Sequence, residues 1–157
     1  MDVAVYRHRE TITIERPPAE VFDLLDDISN MSRWSPVCTG ATYDGDREWF
    51  TGSNSLGGGT WDTRCRVVTR ERGREFAFEN HGLEGKVAMV RWGFELRPVG
   101  GGATEVTQTW EVLPDYAEGL GADEDSARGV LDMMKGAALE GMPQTLAALK
   151  VDAEGSR

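Results

Sequence analysis

Four consecutive stretches in the middle of the chain alternate between apolar and polar residues with period two. Trp61, Thr63, Cys65 and Val67 stand opposite Asp62, Arg64 and Arg66, and Phe76 and Phe78 stand opposite Glu75, Ala77 and Glu79. Val90, Trp92, Phe94 and Leu96 stand opposite Arg91, Gly93, Glu95 and Arg97, and Val106, Gln108, Trp110 and Val112 opposite Glu105, Thr107, Thr109 and Glu111. Successive strand side chains point to opposite faces, so these sets predict one sheet with an aromatic inner face and a charged outer face. Between Glu48 and Asn54 the parity is undecided, because Trp49 and Phe50 compete for the inside.

Turn residues divide the stretches. Asp44-Gly45 predicts a two-residue hairpin turn, and Gly57-Gly58-Gly59, Gly73, His81-Gly82, Gly85 and Gly100-Gly101-Gly102 mark the later ones. A first strand is expected from about Val3 to Glu15, with Ile12 and Ile14 inward. Val3 and Val5 have the opposite parity and predict a bulge or register change. Pro17-Pro18 stops that strand and opens a short helix carrying Val21, Phe22, Leu24, Leu25 and Ile28, followed by a second short turn to Trp34 and a break at Ser35-Pro36.

Beyond Leu113 the period changes. Pro114 to Ala122 reads as an acidic loop, Asp123 as a helix cap, and Asp123 to Lys150 as one long helix. Ala127, Val130, Leu131, Met134, Ala138, Met142, Thr145, Leu146 and Leu149 recur along it at helical spacing. Pro143 is expected to free the carbonyl of Leu139 and bend the axis. Residues 1–151 are expected to form one domain and 152–157 a frayed tail. The expected fold is α+β: a curved antiparallel seven-stranded sheet, two short helices and a long C-terminal helix enclosing a hydrophobic cavity.

With this order in place, five segments carry a family resemblance. They are Ile14-Glu15-Arg16-Pro17-Pro18-Ala19-Glu20-Val21-Phe22, Trp34-Ser35-Pro36, Gly52-Ser53-Asn54 with Gly57-Gly58-Gly59-Thr60-Trp61, Gly73-Arg74-Glu75-Phe76-Ala77-Phe78, and Thr104-Glu105-Val106-Thr107-Gln108-Thr109-Trp110-Glu111. The chain resembles the polyketide cyclase/dehydrase branch of the START/Bet v 1-like (SRPBCC) superfamily, to about Lys150. The resemblance implies the helix-grip fold. It implies a range of roles, since the superfamily includes lipid carriers, hormone receptors and ring-closing enzymes, so function has to be argued from the site. The matching positions are turn glycines and core aromatics, and none carries over as a catalytic residue.

Composition narrows the partners. With 157 residues and a net charge of −10, the chain offers no basic stripe for nucleic acid or anionic membrane. Met1 to Glu10 holds no apolar run like a signal peptide, and no stretch approaches ~18 apolar residues, so a cytoplasmic protein without a membrane span is expected. Cys38 and Cys65 are expected as free buried thiols, and two histidines and two cysteines without ligand-like spacing predict no metal site. No cofactor is expected: the glycine run at 57–59 is followed by a strand instead of a Lys-Ser/Thr pair and a helix start.

The expected ligand wall comprises Trp34, Phe50, Asn54, Trp61, Thr63, Cys65, Phe76, Phe78, Trp92, Phe94, Gln108 and Trp110, with Met134, Ala138 and Met142 from the helix. Asn54, Thr63 and Gln108 would orient a ligand, and loops around Trp34, Leu56 and His81 would form the mouth. No Asp, Glu, Lys or Arg falls on the inner parity of the four clear strands, which suits a small hydrophobic ligand, aromatic or polycyclic. His81, at a strand end, is either an acid-base group at the mouth or an exposed turn residue. Three roles follow: a binder, a cofactor-independent cyclase or dehydratase in which His81 moves protons, and an interaction module using the acidic outer surface. A monomer or homodimer is compatible with each.

Overall fold

A computed structural model describes residues 2–120 and 123–155. Among them the chain forms seven strands: β1 (Arg7–Ile14), β2 (Cys38–Tyr43), β3 (Trp49–Leu56), β4 (Gly59–Glu71), β5 (Glu75–Asn80), β6 (Val90–Val99) and β7 (Ala103–Val112). Four helices accompany them: α1 (Pro18–Asp26), α2 (Met31–Trp34), α3 (Pro114–Gly119) and α4 (Glu124–Gly155). The strands make one antiparallel curved sheet in the order β1-β7-β6-β5-β4-β3-β2. Hairpins join β2 through β7 in sequence, whereas α1, a 3₁₀ turn at Ile28–Asn30 and α2 carry the chain from one edge strand to the other. Register shifts between Cys38 and Gly40 and between Val67 and Thr69 mark irregularities of the kind that add local twist and bend a sheet.

Pro17 and Pro18 stop β1 and start α1, and Val21, Phe22 and Leu25 of α1 are buried. Gly57 and Gly58 both have positive φ (61° and 84°), which the two-residue turn between paired Leu56 and Gly59 needs. Gly93 meets a different demand. A Cβ there would lie 2.6 Å from Thr109 Oγ1 and 3.5 Å from Ala77 Cβ, so only glycine lets the neighbouring outer-face side chains approach.

Four expectations are corrected. Val3–Tyr6 is a turn, closed by the Tyr6 N–H donating to the Val3 carbonyl at 2.9 Å, so β1 begins at Arg7 and its parity conflict never arises. Asp44-Gly45 is not a two-residue turn. The β2–β3 connection spans residues 44–48, and its residue with positive φ is Arg47, held by Asp26 and over the Tyr43 ring. Within the expected loop 114–122, Pro114–Gly119 forms α3, with proline at its first turn; Gly121 and Ala122 lie outside the described residues. The last helix does not fray after Val151: α4 runs through Pro143 to Gly155.

Tertiary partners explain that last extension. Ala153 is buried in the core, Glu154 accepts from the Glu15 N–H (2.9 Å) and Lys150 Nζ (2.6 Å), and Asp152 accepts from Trp34 Nε1 (2.8 Å) and from Arg33. Ser156 and Arg157 lie outside the described residues. At the other end, Asp123 accepts from the Ser126 N–H at 2.7 Å, as a cap should.

Two apolar clusters result. One joins α1, α2 and the C-terminal end of α4 (Leu146, Leu149, Ala153) to Phe50, Phe76, Phe78, Phe94 and Val106. The other joins Tyr6, Val90, Trp110, Val112 and Ala117 to Leu131, Ala138 and Met142 of α4. Trp92 packs against both.

Candidate functional site

A cavity of about 380 Å³ lies at the seam of the two clusters, between the concave face of the sheet and α4. That volume falls within the usual range for small-molecule pockets. The sheet contributes Phe50, Phe78, Trp92, Phe94 and Trp110, and α4 contributes Met134, Ala138 and Met142. Phe50 meets Phe78 edge to face at a ring separation of 5.0 Å, and Trp92 and Trp110 lie tilted at 6.5 Å. Leu56 and Trp61, from the β3–β4 hairpin, and Met133 of α4 line the cavity while being exposed, and so mark its mouth.

The structure resolves the parity of β3. Phe50, Gly52 and Asn54 face the cavity, while Trp49 faces outward against Arg64 and His81. Gly52 leaves open a space beside Thr63, whose Oγ1 would lie 3.3 Å from an added Cβ. Asn54 Nδ2 donates to the Trp61 carbonyl (3.3 Å) and to Thr63 Oγ1 (3.4 Å), and the Cys65 thiol lies 3.9 Å from that same oxygen.

Three of the expected site residues stand elsewhere. Trp34 is buried, but its indole N–H anchors α2 to Asp152 of α4 instead of facing the mouth. Phe76 is fully buried behind the cavity against Phe22, at 6.2 Å, because α1 covers that end of the sheet. His81 does not reach the cavity. Alternation along β5 sends Phe78 and Asn80 inward, and His81 lies on the outer face against Trp49, with Nε2 3.7 Å from Glu79. The same period that identified the aromatic wall already placed His81 outside.

Other wall residues escape periodicity because they lie in a loop, at a strand end or on small helical positions. Pro36 and Val37 enter from the α2–β2 connection, Cys38 from the first position of β2, and Ala137 and Gly141 from α4, where a Cβ on Gly141 would meet Pro36 at 3.4 Å. His8 and Glu10 on β1 lie outside the expected wall. They share the parity of Ile12 and Ile14 on β1, their side chains meet at 2.7 Å, and they pair in register with Trp110 and Gln108. Neither lines the cavity.

The chemistry of the wall is therefore narrow. Among the described residues that line it there is no Asp, Glu, Lys, Arg, His or Tyr. Its two thiols are free, and burial pushes both upward, Cys65 to about 12. A thiol held protonated at neutral pH is a poor nucleophile. In native protein at pH 8, iodoacetamide is expected to leave Cys65 unmodified and to alkylate Cys38 slowly, more slowly still when a ligand fills the cavity; peptide mass mapping reads both. Because the folded state raises the Cys65 pKa above its ordinary value of 9.0, this stabilising contribution is complete below about pH 9 and is lost as pH rises toward 12. Among the described residues no group of three or more His, Cys, Asp or Glu could hold a metal, and no helix is long and apolar enough to cross a membrane.

Similar structures agree with this architecture. The solution structure of the Polyketide_cyc-like protein Cgl2372 from Corynebacterium glutamicum is 28% identical, covers 97% of this chain and 96% of its own, and superposes with a TM-score of 0.65. The di-domain ARO/CYC BexL from the BE-7585A biosynthetic pathway shares the fold at 17% identity and a TM-score of 0.70, over 94% of this chain but 46% of BexL. A START superfamily protein from Mycobacterium smegmatis does so at 15% identity and 0.69, over 95% of this chain and 97% of that one. No curated protein matches the sequence. The family model for polyketide cyclase / dehydrase and lipid transport matches residues 7–154, and the chain belongs to that family.

Proposed function

We propose that this protein binds a small, neutral, hydrophobic molecule, aromatic or polycyclic, beneath α4. The observation that carries the reading is a cavity of about 380 Å³ walled by aromatic side chains and free of charged residues among those described. Burying an apolar ligand there is favourable by about 25 cal/mol per Å² removed from water, whereas an ion would enter without a partner. Methionines 134 and 142 give the helical wall shape tolerance. Free thiols at Cys38 and Cys65 fit the expected reducing, cytoplasmic setting.

The test has two arms. Denaturing protein purified from its native host is expected to release a stoichiometric hydrophobic compound detectable by mass spectrometry. The apolar fluorophore N-phenyl-1-naphthylamine is expected to bind the emptied protein at one site, with a blue-shifted emission. Protein that carries nothing and excludes the fluorophore would refute the reading.

A cofactor-independent cyclase or dehydratase is the second reading, favoured by the family and by one feature of β1. The acid-base pair His8–Glu10 stands beside the cavity strand, although its side chains stay outside the wall. An enzyme using it would lose turnover in His8→Ala while still binding, and His81→Ala on the outer face would alter neither. An interaction role for the outer face is less favoured. Its carboxylates are extensively paired with arginines, Glu105 with Arg97 and Glu111 with Arg91 among them.

A further inference from the structure

Among the described residues, Gln108 is the one cavity side chain with a fully buried polar atom that has no hydrogen-bond partner. It is 4% exposed, lines the cavity at the centre of β7, and its Oε1 has no hydrogen-bond partner among the described residues. The other amide, hydroxyl and thiol side chains of the wall each make at least one hydrogen bond, Cys38 to the Gly40 carbonyl and Cys65 to Thr63 among them. Asn54 donates to Thr63 and the Trp61 carbonyl, and Asn80 accepts from the Gly82 N–H at 2.8 Å. Ser35 accepts from two backbone N–H groups, and Thr145 donates to the Gly141 carbonyl at 3.1 Å. On either side in register, Phe94 offers Gln108 only a ring, and Glu10 turns to His8.

Burying an amide oxygen without a donor is costly, so a folded chain that keeps one at the wall of a cavity is arranged for a donor that arrives with the ligand. A carboxamide presents an acceptor and a donor side by side. Of the two, only Oε1 is a buried atom without a partner, so the ligand group it calls for is a neutral donor, which a hydroxyl supplies. We propose that the cavity selects a hydroxylated apolar ligand, a phenol or a ring-borne alcohol, whose O–H donates to Gln108 Oε1 as the carboxamide turns toward it. Ketones, ethers and bare hydrocarbons of the same shape leave that oxygen orphaned. Carboxylates are excluded because the described wall holds no cation. This rests on the binding reading above and adds to it the polar group the ligand must carry and the residue that reads it.

The test displaces N-phenyl-1-naphthylamine with three probes of similar shape: 2-naphthol, 2-methoxynaphthalene and 2-methylnaphthalene. Wild-type protein is expected to bind 2-naphthol about tenfold to a hundredfold more tightly than the other two, although it is the least apolar of the three. Gln108→Met keeps the length and removes both hydrogen-bonding atoms, and it is expected to erase the preference while holding 2-methylnaphthalene at least as well. The ratio of ratios cancels differences in hydrophobicity between probes. The wild-type series alone reads the result should the variant fold poorly, and thermal melting reports whether it does. Equal binding of all three by wild type, or a preference that Gln108→Met retains, would overturn the inference and leave the binding reading standing. Failure of N-phenyl-1-naphthylamine and all three probes to enter wild-type protein would instead remove the binding reading, and the inference with it.

Discussion

Ala138→Phe is expected to abolish ligand uptake while leaving the fold in place. Ala138 is 4% exposed and faces the cavity from the middle of α4, opposite the tilted Trp92–Trp110 pair. In a filled core such a change would force neighbours aside at a cost of about 1–3 kcal/mol. Here the new ring enters existing space among Met134, Met142 and the strand aromatics, so it gains contacts and meets little strain. Affinity for N-phenyl-1-naphthylamine is expected to fall at least about a hundredfold, because the ligand and the added side chain need the same volume. The melting temperature is expected to stay within a few degrees of wild type, or to rise. Undiminished fluorophore binding in a folded variant would place the binding site elsewhere.

Phe76→Ala carries the largest expected loss of stability, about 3–5 kcal/mol, read from the urea midpoint at unchanged slope. Phe76 is fully buried, contacts Phe22 edge to face, and pairs in register with Phe94. It borders packed side chains on every side the structure describes, so truncation leaves a void that nothing fills. Phe78, two residues on, already faces the cavity. Its truncation forfeits fewer contacts, and Phe78→Ala is expected to cost visibly less and to weaken ligand binding instead. Two phenylalanines with the same parity on one strand thus separate by what lies in front of them. If the two variants lose equal stability, the cavity is filled by side chains in solution.

The fold was legible because its signals are local and repeated. Period-two alternation on four strands, proline at the entrance to α1 and helical spacing in α4 each follow from backbone geometry within a few residues. Where local signals conflicted, tertiary context decided. Asp44-Gly45 carried a strong hairpin signal, yet Asp26 and the Tyr43 ring hold Arg47 in the left-handed conformation and lengthen the loop. Residues 152–155 looked solvated in sequence because three of them are polar or glycine, and they stay helical because Trp34, Arg33 and the Glu15 N–H need acceptors there.

The candidate site divides along the same line. Alternation by itself determined which strand residues face inward, including Gln108, Thr63 and the aromatic wall, and it determined that this face carries almost no charge. Period two says which side a residue takes but not how far along the sheet the empty space extends. Only the tertiary structure decided that α1 closes over Phe76 and that Trp34 turns to Asp152. It likewise decided that the α2–β2 connection supplies Pro36 and Val37, and that Gln108 Oε1 is left without a partner among the described residues. Such features depend on contacts between residues far apart in the chain, where packing and the satisfaction of buried polar groups govern, and no periodicity in one segment encodes them.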